Sequence, residues 1–585
     1  MESDSKQTDE KTIGKTLVIY LGSAWVFIEA FNFIIDKYRL DAAILDIIIL
    51  LVIFGLPASV IYASFKQQFT TKAIIFQSIN LIIAIGVISY DQISPNVINP
   101  TEIRLLNFKS NQQKLAESIR SIAILPFSNL TGNPEKKYLS AGIHDAIISE
   151  MGQVGAIRVT SRTSTLQYND TEKTIQQIAS ELDVDAIIEG SVLLVDTIIR
   201  VQVKLMSAYP EELQLWTHTY DTPLNDLLKV YGDMTMSIVQ EINVALSSEE
   251  QSLLTESKTV NADAYEAYLK GKYSMGLLSK EGIEAAMGYF MKAIELDPEF
   301  ASAHAGLGGI WAFLKQMDFV SSDEANPHII ANLNKALELD STLADTYYWD
   351  AVKKIWTDYD WEAGEKSFKK ALSLNPNFSE ARGLYSNYLI CEGRWSESEN
   401  QMSKALEVDP NNPFIRVLQG MLYLNEEKYD SLIPLYTAMQ KNMPTNPLLN
   451  LGLFIAYYQT ENLELALEQT KLKLELEGHK DLIKLLEQEY ERSGYKKSLE
   501  RLAFALESQD TLFFSAQSIQ CYYAIAGNED KTMDWIEKGF IRKDPDMPVI
   551  AVNPLLKPYK DNNRYKEMVK KMNLPLNKYY TSVSK

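Results

Sequence analysis

One spacing recurs in the second half of the chain and limits what that half can fold into. Three prolines and three aromatic residues repeat there with a period of 34 residues: Pro376, Pro410 and Pro444, and Trp361, Trp395 and Tyr429. A period of this length is typical of arrays in which each unit buries its apolar face against the next unit. The pattern therefore predicts a stacked repeat array rather than a domain with one central core.

The arrangement of these residues resembles the tetratricopeptide repeat, which is a pair of helices with a proline at its boundary. Aligning the chain on them starts repeats at Asp345, Ser379, Pro413 and Pro447, and proline is tolerated in the first turn of a helix. We expect about eight helix pairs over residues 261–547, followed by a C-terminal cap and tail over 548–585. The resemblance implies an all-α solenoid that binds a protein or peptide.

In such an array the first helix of each pair lines the concave surface. The residues in phase on those helices form the predicted partner-binding groove, and they are Trp349, Lys353, Asn387, Phe414, Val417, Met421, Leu448, Leu451 and Ile455. The early part of this groove is polar and the later part is apolar, which favours an apolar helix or an extended segment as the partner. The alternative is that these side chains only pack against the neighbouring helix.

Residues 120–248 have a different pattern, in which short β-branched runs alternate with helical segments. This pattern predicts an α/β domain with a mixed sheet, and Asp196-Thr197 between two strand runs predicts one antiparallel hairpin. The motifs at 121–134, 158–164 and 189–192, together with Trp216 and Tyr220-Asp221, resemble the TolB-like, FlgO-type amino-terminal domain. That resemblance extends to the extracytoplasmic part of CadC-like regulators and of proteins associated with class III adenylate cyclases.

Two arginines in this domain raise the question of an anionic ligand. Arg158 and Arg162 fall on the same face of a predicted strand, where they could receive an anion. The simpler alternative is surface pairing of each arginine with Asp or Glu. The sequence contains no glycine-rich phosphate loop that would favour a nucleotide.

Three apolar runs occupy the first 90 residues, and they are Thr16–Ile35, Ile44–Phe65 and Ala73–Tyr90. Each is about long enough to cross a bilayer as a helix. We therefore predict a short N-terminal tail over 1–15, a three-helix transmembrane region over 16–90 and a linker over 91–119. Glu29 lies within the first run. An acidic residue there would either hydrogen-bond within the helix bundle or act as a relay in the membrane.

The predicted fold class thus combines three transmembrane helices, an α/β domain and a tetratricopeptide solenoid. Only about 15 residues precede the first predicted span, which leaves no room for the cytoplasmic output domain of the related regulators. The positive-inside rule and the family resemblance together predict a multi-pass protein of the bacterial inner membrane, with its soluble C-terminal part in the periplasm.

Nothing in the sequence indicates catalysis. The five histidines stand alone, the two cysteines are Cys391 and Cys521, and no known nucleophile, metal or dinucleotide motif is present. We expect neither a metal nor another cofactor, and we expect no enzyme activity. The formal charge of −20 argues against nucleic acid as a partner, because a phosphate backbone is bound by clustered positive charge.

Two functions remain open. The first is a membrane-anchored scaffold or adaptor that binds a protein or peptide partner on the extracytoplasmic side. The second is a sensory or regulatory component of a signalling system, associated with an adenylate cyclase or a transcription regulator. In that case ligand binding would be relayed through the transmembrane bundle.

Overall fold

The computed structural model describes residues 112–255, 260–276, 279–316, 319–508 and 516–574, together with a few helical positions between residues 15 and 29. The chain divides into two units, Met1–Ser110 and Asn111–Lys585. In the first unit, the described positions 21–26 are helical, and Glu29 is exposed.

The prediction of three transmembrane helices is wrong. No helix in the described parts of the chain is both long and apolar enough to cross a membrane. The prediction was based on the lengths of apolar runs, whereas a span also requires one continuous apolar helix of about 20 residues. The runs Ile44–Phe65 and Ala73–Tyr90, and much of Thr16–Ile35, lie outside the described residues. The predicted location as a multi-pass inner-membrane protein is contradicted by the same finding.

The second unit begins with an α/β domain, as the sequence predicts. Its strands are β1 (Ser121–Ile124), β2 (Ser128–Asn129), β3 (Arg158–Val159), β4 (Ala186–Val195), β5 (Ile198–Ser207) and β6 (Leu213–Pro223). Its helices are α1 (Lys137–Gly152), α2 (Arg162–Thr165), α3 (Ile175–Leu182), α4 (Leu227–Glu241) and α5 (Ser248–Thr255).

The sheet is mixed and has the strand order β3-β1-β4-β5-β6, with β2 paired to β4. Strand β1 runs parallel to β3 and β4, whereas β4, β5 and β6 are antiparallel. The predicted hairpin is present, because Val195 pairs with Ile198 across the turn at Asp196, whose φ is 54°. A short polar residue such as Asp tolerates this left-handed backbone better than a β-branched one.

Alternation along the strands places an apolar layer on each face of the sheet. On one face, Ile122 and Ile124 of β1 pack with helices α1 and α4. On the other face, Ala123 and Ile187 pack against α3, which begins with a capping box formed by Thr174 and Gln177. The domain therefore consists of one sheet between helices.

The all-helical region forms a solenoid of eight helix pairs within the described residues. The helices are α6 (Ala262–Met275), α7 (Lys280–Leu296), α8 (Ala301–Gln316), α9 (Ser322–Leu339), α10 (Ala344–Trp356), α11 (Trp361–Leu374), α12 (Ser379–Cys391), α13 (Trp395–Val408), α14 (Pro413–Asn425), α15 (Tyr429–Gln440), α16 (Pro447–Gln459), α17 (Leu463–Leu476), α18 (Lys480–Ser493), α19 (Tyr495–Glu507), α20 (Ala516–Ala526) and α21 (Glu529–Arg542).

The 34-residue period sets where these helices begin. Helices α11, α13 and α15 start at the three periodic aromatic residues, and α14 and α16 start at Pro413 and Pro447. Small residues allow the helices to approach closely. A Cβ added at Gly420 would lie 1.9 Å from the ring of Tyr436, whose hydroxyl donates to the Val417 carbonyl at 2.6 Å. The tetratricopeptide-like solenoid predicted from the sequence is confirmed.

After α21 the chain turns back along the solenoid. It forms two 3₁₀ segments, Met547–Ala551 and Pro554–Tyr559, and then helix α22 (Asn563–Lys571). We call residues 544–574 the return segment. Helices α10 and α12, which belong to the third and fourth pairs, contact its first 3₁₀ segment. The indole of Trp361 donates to the Met572 carbonyl at 2.6 Å, so the segment reaches back to the third pair.

Candidate ligand-binding cavity

The predicted partner groove follows the first helices α10, α12, α14 and α16, but much of it is already covered. Asn387, Val417 and Ile455 are buried, and the remaining six predicted residues are half-buried. Lys353 makes an ion pair with Asp358 rather than projecting free. These observations favour packing over docking for Asn387, Val417 and Ile455.

The apolar later part of the groove faces the return segment. Met421, Leu448, Leu451 and Ile455 line a small space together with Asp546, Val549, Asn553 and Pro554 of that segment. The space measures about 30 Å³, enough for about one or two water molecules and far too small for a peptide. The chain itself therefore occupies this part of its groove.

The α/β domain docks on the first four helix pairs. Its apolar core continues into α6 and the start of α8, where Tyr265, Ala303 and Phe300, the residue just before α8, join the same cluster of buried residues. The buried Tyr265 hydroxyl donates to the Tyr231 hydroxyl at 3.1 Å. A continuous core of this kind joins the domain and the solenoid into one packed body.

Asn377, in the turn before α12, holds the edge of the sheet. Its amide nitrogen donates to the carbonyls of Gly152 and Ile157 at 3.1 and 3.0 Å, and its carbonyl oxygen accepts from the Val159 backbone N–H at 3.0 Å. These bonds satisfy backbone groups at the end of α1 and on β3. One side chain of the solenoid thus closes the β3 edge of the sheet.

A second set of contacts comes from the turn before α14. The Ser164 hydroxyl donates to the buried Asp409 carboxylate at 2.5 Å and accepts from the Asn411 N–H at 3.0 Å. Arg158 donates to the Glu407 carbonyl at 2.6 Å and also pairs with Asp183. Of the two arginines singled out in the sequence, Arg158 is thus engaged in structural contacts.

Between these contacts lies a cavity of about 450 Å³ that both modules build. Helix α1 and the start of α2 form one wall. The first helices α6, α8, α10 and α12 form the other wall, and aromatic rings surround the space. The charged residues among its lining are Asp145, Glu150, Arg162, Lys272, Asp345 and Glu380.

The wall formed by α1 and α2 carries an unpaired cation, Arg162, beside a salt bridge that joins this wall to α6 of the solenoid. Lys272 and Asp145 are 3.0 Å apart. Burial alone would raise the pKa of Asp145, but Lys272 and Arg162 hold that pKa below its ordinary value. The Arg162 side chain itself makes no ion pair or hydrogen bond within the described parts of the chain, and its Nε is buried without a partner. An unpaired guanidinium in a cavity is available to an anion.

The opposite wall carries two acids at the starts of α10 and α12. Desolvation by the surrounding walls raises the pKa of Asp345 despite the nearby Lys272, although the residue itself is exposed, and its carboxylate has no hydrogen-bond partner among the described residues. Burial and the neighbouring Asp409 raise the pKa of Glu380 to about 7. Glu380 accepts from the Ser379 hydroxyl at 2.9 Å and from the Asn412 amide at 3.2 Å. The Asp345 carboxylate is thus available to accept hydrogen bonds from a cationic group.

Aromatic rings lie around these acids. Tyr348 is next to both Trp349 and Phe378, with ring centroids 4.7 and 5.1 Å apart, and Tyr268 and Phe300 form another close pair at 5.0 Å. Trp349, which the sequence assigned to the partner groove, therefore lines this cavity instead. The sequence indicates Arg162 as a candidate for an anion, but it does not indicate the acids or the tyrosines.

The remaining chemistry-bearing residues have structural environments. His144 is buried and bonds the Ile124 carbonyl through Nε2 at 2.9 Å, and burial lowers its pKa to about 4. Cys391 and Cys521 are both buried. No group of His, Cys, Asp and Glu in the described ranges is arranged to hold a metal ion.

Residues 118–230 match the family of the HilA/YgeH-like transcriptional regulator, second domain. This match covers less than half of the chain, and it does not show the TolB-like resemblance, which stays a prediction. A protein of Rhizobium meliloti (strain 1021) named "Putative adenylate cyclase 3" is 29% identical over 227 residues, which is 39% of this chain and 37% of that protein. The chain thus spans a little over a third of that relative's length.

Several solved structures are also similar. PilF of Pseudomonas aeruginosa is 15% identical and covers 46% of this chain and 97% of its own, with a TM-score of 0.26. YrrB, described as a TPR protein with an unusual peptide-binding site, is 22% identical and covers 31% and 89%, with a TM-score of 0.21. The human IFIT1 dimer with m7Gppp-AAAA is 16% identical and covers 59% and 77%, with a TM-score of 0.34. The solenoid itself is of the kind that serves as a protein-binding scaffold.

Proposed function

We propose that this chain is a protein-binding scaffold of a regulatory system and that an extended segment of its partner pairs with the outer edge of β6. The observation that carries the proposal is the distribution of covered and open surfaces. The return segment fills the apolar part of the concave groove, and the solenoid closes the β3 edge of the sheet. The β6 edge is left without a pairing strand in the part of the chain that the structure describes.

The β6 edge has the properties of a docking strand. The Gln112 amide donates to the carbonyls of Gln214 and Leu215 at 3.0 Å each, and among the described residues this cover lies at the start of the strand. Further along, His218 stacks on Trp216 and lies close to Tyr220. An open strand offers unpaired backbone groups for strand addition, and alternate side chains then give specificity.

A charge placed on this edge tests the proposal. Thr219 is exposed on β6, and a lysine there disfavours pairing with another strand. Full-length tagged protein is purified from its own cells after cross-linking, and retained proteins are quantified for wild type and for Thr219→Lys. Ser403→Lys, which adds the same charge at an exposed position of α13, is the matched control.

We expect one partner to be retained by wild type and Ser403→Lys and lost by Thr219→Lys, with cross-links mapping to β6. If the Thr219→Lys variant retained the partner, pairing of the partner with the β6 edge would be refuted. Loss of the partner on Met421→Gln with an unchanged melting temperature would instead restore the concave groove as the docking surface. The proposal assigns no catalytic reaction to the chain, so the purified protein should show only background activity in a cyclase assay.

The cavity that both modules build favours a second function. In this function the chain is a signalling component that responds to a ligand. A ligand that touches α1 and the solenoid at once would change how the two modules fit together. The relative named as an adenylate cyclase supports a signalling role. If the docked arrangement controls partner binding, Asn377→Ala should change partner retention, whereas Asn411→Ala, an exposed asparagine two residues from Asp409, should not.

A further inference from the structure

The volume and composition of the cavity are those of a small-molecule site. Ligand sites in proteins typically have volumes of about 300–1,000 Å³, mostly apolar walls and a few convergent polar groups. The cavity of about 450 Å³ has aromatic walls and charged side chains from both modules. Neither module would form it alone, because α1 and the solenoid helices supply opposite walls.

Arg162 marks an anion-binding end. Its guanidinium is unpaired within the described residues, and the neighbouring Ser161 hydroxyl is also buried without a partner. Buried donors of this kind cost free energy unless a ligand satisfies them. A carboxylate accepts from a guanidinium through two parallel bonds and from a hydroxyl in addition.

Asp345 marks a cation-binding end. Its carboxylate lies at the start of α10, near Tyr348 and Trp349, with Glu380 on the neighbouring helix. A protonated amine would donate to the carboxylates and lie against the electron-rich faces of the rings. Lys272 does not take this place, because it is paired with Asp145.

The charges that line the cavity indicate whether its ligand is an anion, a cation or a zwitterion. With Lys272 and Asp145 paired, the cation without a counter-ion among the described residues is Arg162 on one wall, and the acid without any bond of its own there is Asp345 on the other. Glu380, beside Asp345, also lacks a cation partner in the described parts of the chain, but it accepts from the Ser379 hydroxyl and the Asn412 amide. Glu150, which also lines the space, has a partner of its own. A simple anion would leave Asp345 unmatched, and a simple amine would leave Arg162 unmatched.

We propose that this cavity binds a small zwitterion, namely an amino acid or a short peptide, with its carboxylate on Arg162 and its ammonium group on Asp345. This inference rests on the second function proposed above and names its ligand class. Bound in this way, the ligand joins the α/β domain to the solenoid.

Isothermal titration calorimetry and thermal unfolding of the purified full-length chain test the proposal with a panel of ligands. The panel holds the proteinogenic amino acids and simple dipeptides, each at up to about 5 mM, which detects dissociation constants into the millimolar range. For every compound that binds, the N-acetylated and the decarboxylated forms are the two comparison arms. We expect binding of the zwitterion and at least about tenfold weaker binding of both modified forms.

Two variants connect the binding to the residues. Arg162→Gln and Asp345→Asn should each weaken binding by at least about tenfold, or about 1.4 kcal/mol. The exposed pair Arg200 and Asp221 supplies matched controls, so Arg200→Gln and Asp221→Asn should bind as wild type does. Arg162→Gln should still fold, because the Arg162 side chain makes no hydrogen bond or ion pair within the described residues. If it does not fold, Arg162→Lys keeps the charge but loses the two-pronged geometry and gives the same readout.

Absence of binding by the whole panel would overturn the proposal. Equal binding of an N-acetylated or decarboxylated form, or wild-type binding by a folded Arg162→Gln or Asp345→Asn variant, would overturn it as well. Ligand binding is measured without a protein partner. Failure here combined with retained partner capture would therefore refute the zwitterion site and leave the scaffold proposal in place.

Discussion

Replacing Glu380 by glutamine should stabilise the protein above neutral pH and leave its stability nearly unchanged in mild acid. Burial, Asp409 and Asp345 all disfavour the charged form of this carboxyl, and its pKa is about 7 in the native protein against an ordinary value of 4.5. The native state therefore binds a proton that the unfolded chain releases. A group with a raised native pKa adds stability in acid and loses it as the pH rises through its native pKa.

The size of the effect follows from the two pKa values. Their difference corresponds to at most about 3 kcal/mol of stability lost between about pH 4.5 and pH 8. We expect about 1–2 kcal/mol, because the side chain lines a cavity that admits solvent. Glutamine cannot ionise and can still accept from the Asn412 amide and the Ser379 hydroxyl, so the variant removes the charge and keeps the acceptor.

Thermal midpoints measured from tryptophan fluorescence between about pH 5 and pH 8.5 provide the assay. The difference between Glu380→Gln and wild type should be near zero at the acid end and grow in favour of the variant through neutral pH. Glu464→Gln, at an exposed position of α17, is the control and should show no such trend. A difference that is flat with pH, or a variant less stable than wild type at pH 8.5, would show that Glu380 is an ordinary ionised carboxylate.

Three further predictions address other contacts. Glu365→Gln should cost about 1–3 kcal/mol at neutral pH, because hydrogen bonds from a lysine, a tyrosine and an arginine outweigh burial and hold the pKa of Glu365 at about 2. The cost should shrink below about pH 4.5 and vanish only below about pH 2, and urea midpoints measured across this range check the sign. Asn377→Ala should cost about 2–4 kcal/mol and speed amide exchange at residues 152–159, and unchanged exchange would contradict the docking described above. Gly420→Ala should lower the melting temperature by several degrees because its Cβ would strike the Tyr436 ring, whereas Gly288→Ala, with open space around it, should not.

The sequence predicted the solenoid well because its signals are local. A proline in the first turn and an aromatic residue at the start of the second helix mark positions in each unit, and the observed helices begin at Pro413, Trp395 and Tyr429 accordingly. The hairpin at Asp196 is also predicted from a local signal, because a turn residue separates two strand runs. The prediction of transmembrane helices failed because it was based on the lengths of apolar runs, which do not by themselves show a continuous apolar helix.

The site was largely invisible in the sequence because it depends on long-range docking. Arg162 and Asp345 are 183 positions apart, and no local pattern indicates that their elements share a cavity. The repeat alignment places the first helices of the pairs correctly, since α12, α14 and α16 begin at Ser379, Pro413 and Pro447. It could not reveal that Met421 and Leu451 would face the chain's own residues near Val549.

The bond from Trp361 to Met572 changes how this repeat array should respond to heat or force. An open solenoid has only nearest-neighbour interfaces, so its ends fray first and its units melt in succession. Here the last described residues brace a unit more than 200 positions earlier, which closes the linear array into a loop. A substitution that destabilises the carboxyl end should therefore also destabilise the third helix pair. The repeats between Trp361 and Met572 should unfold as a single cooperative block rather than as independent units.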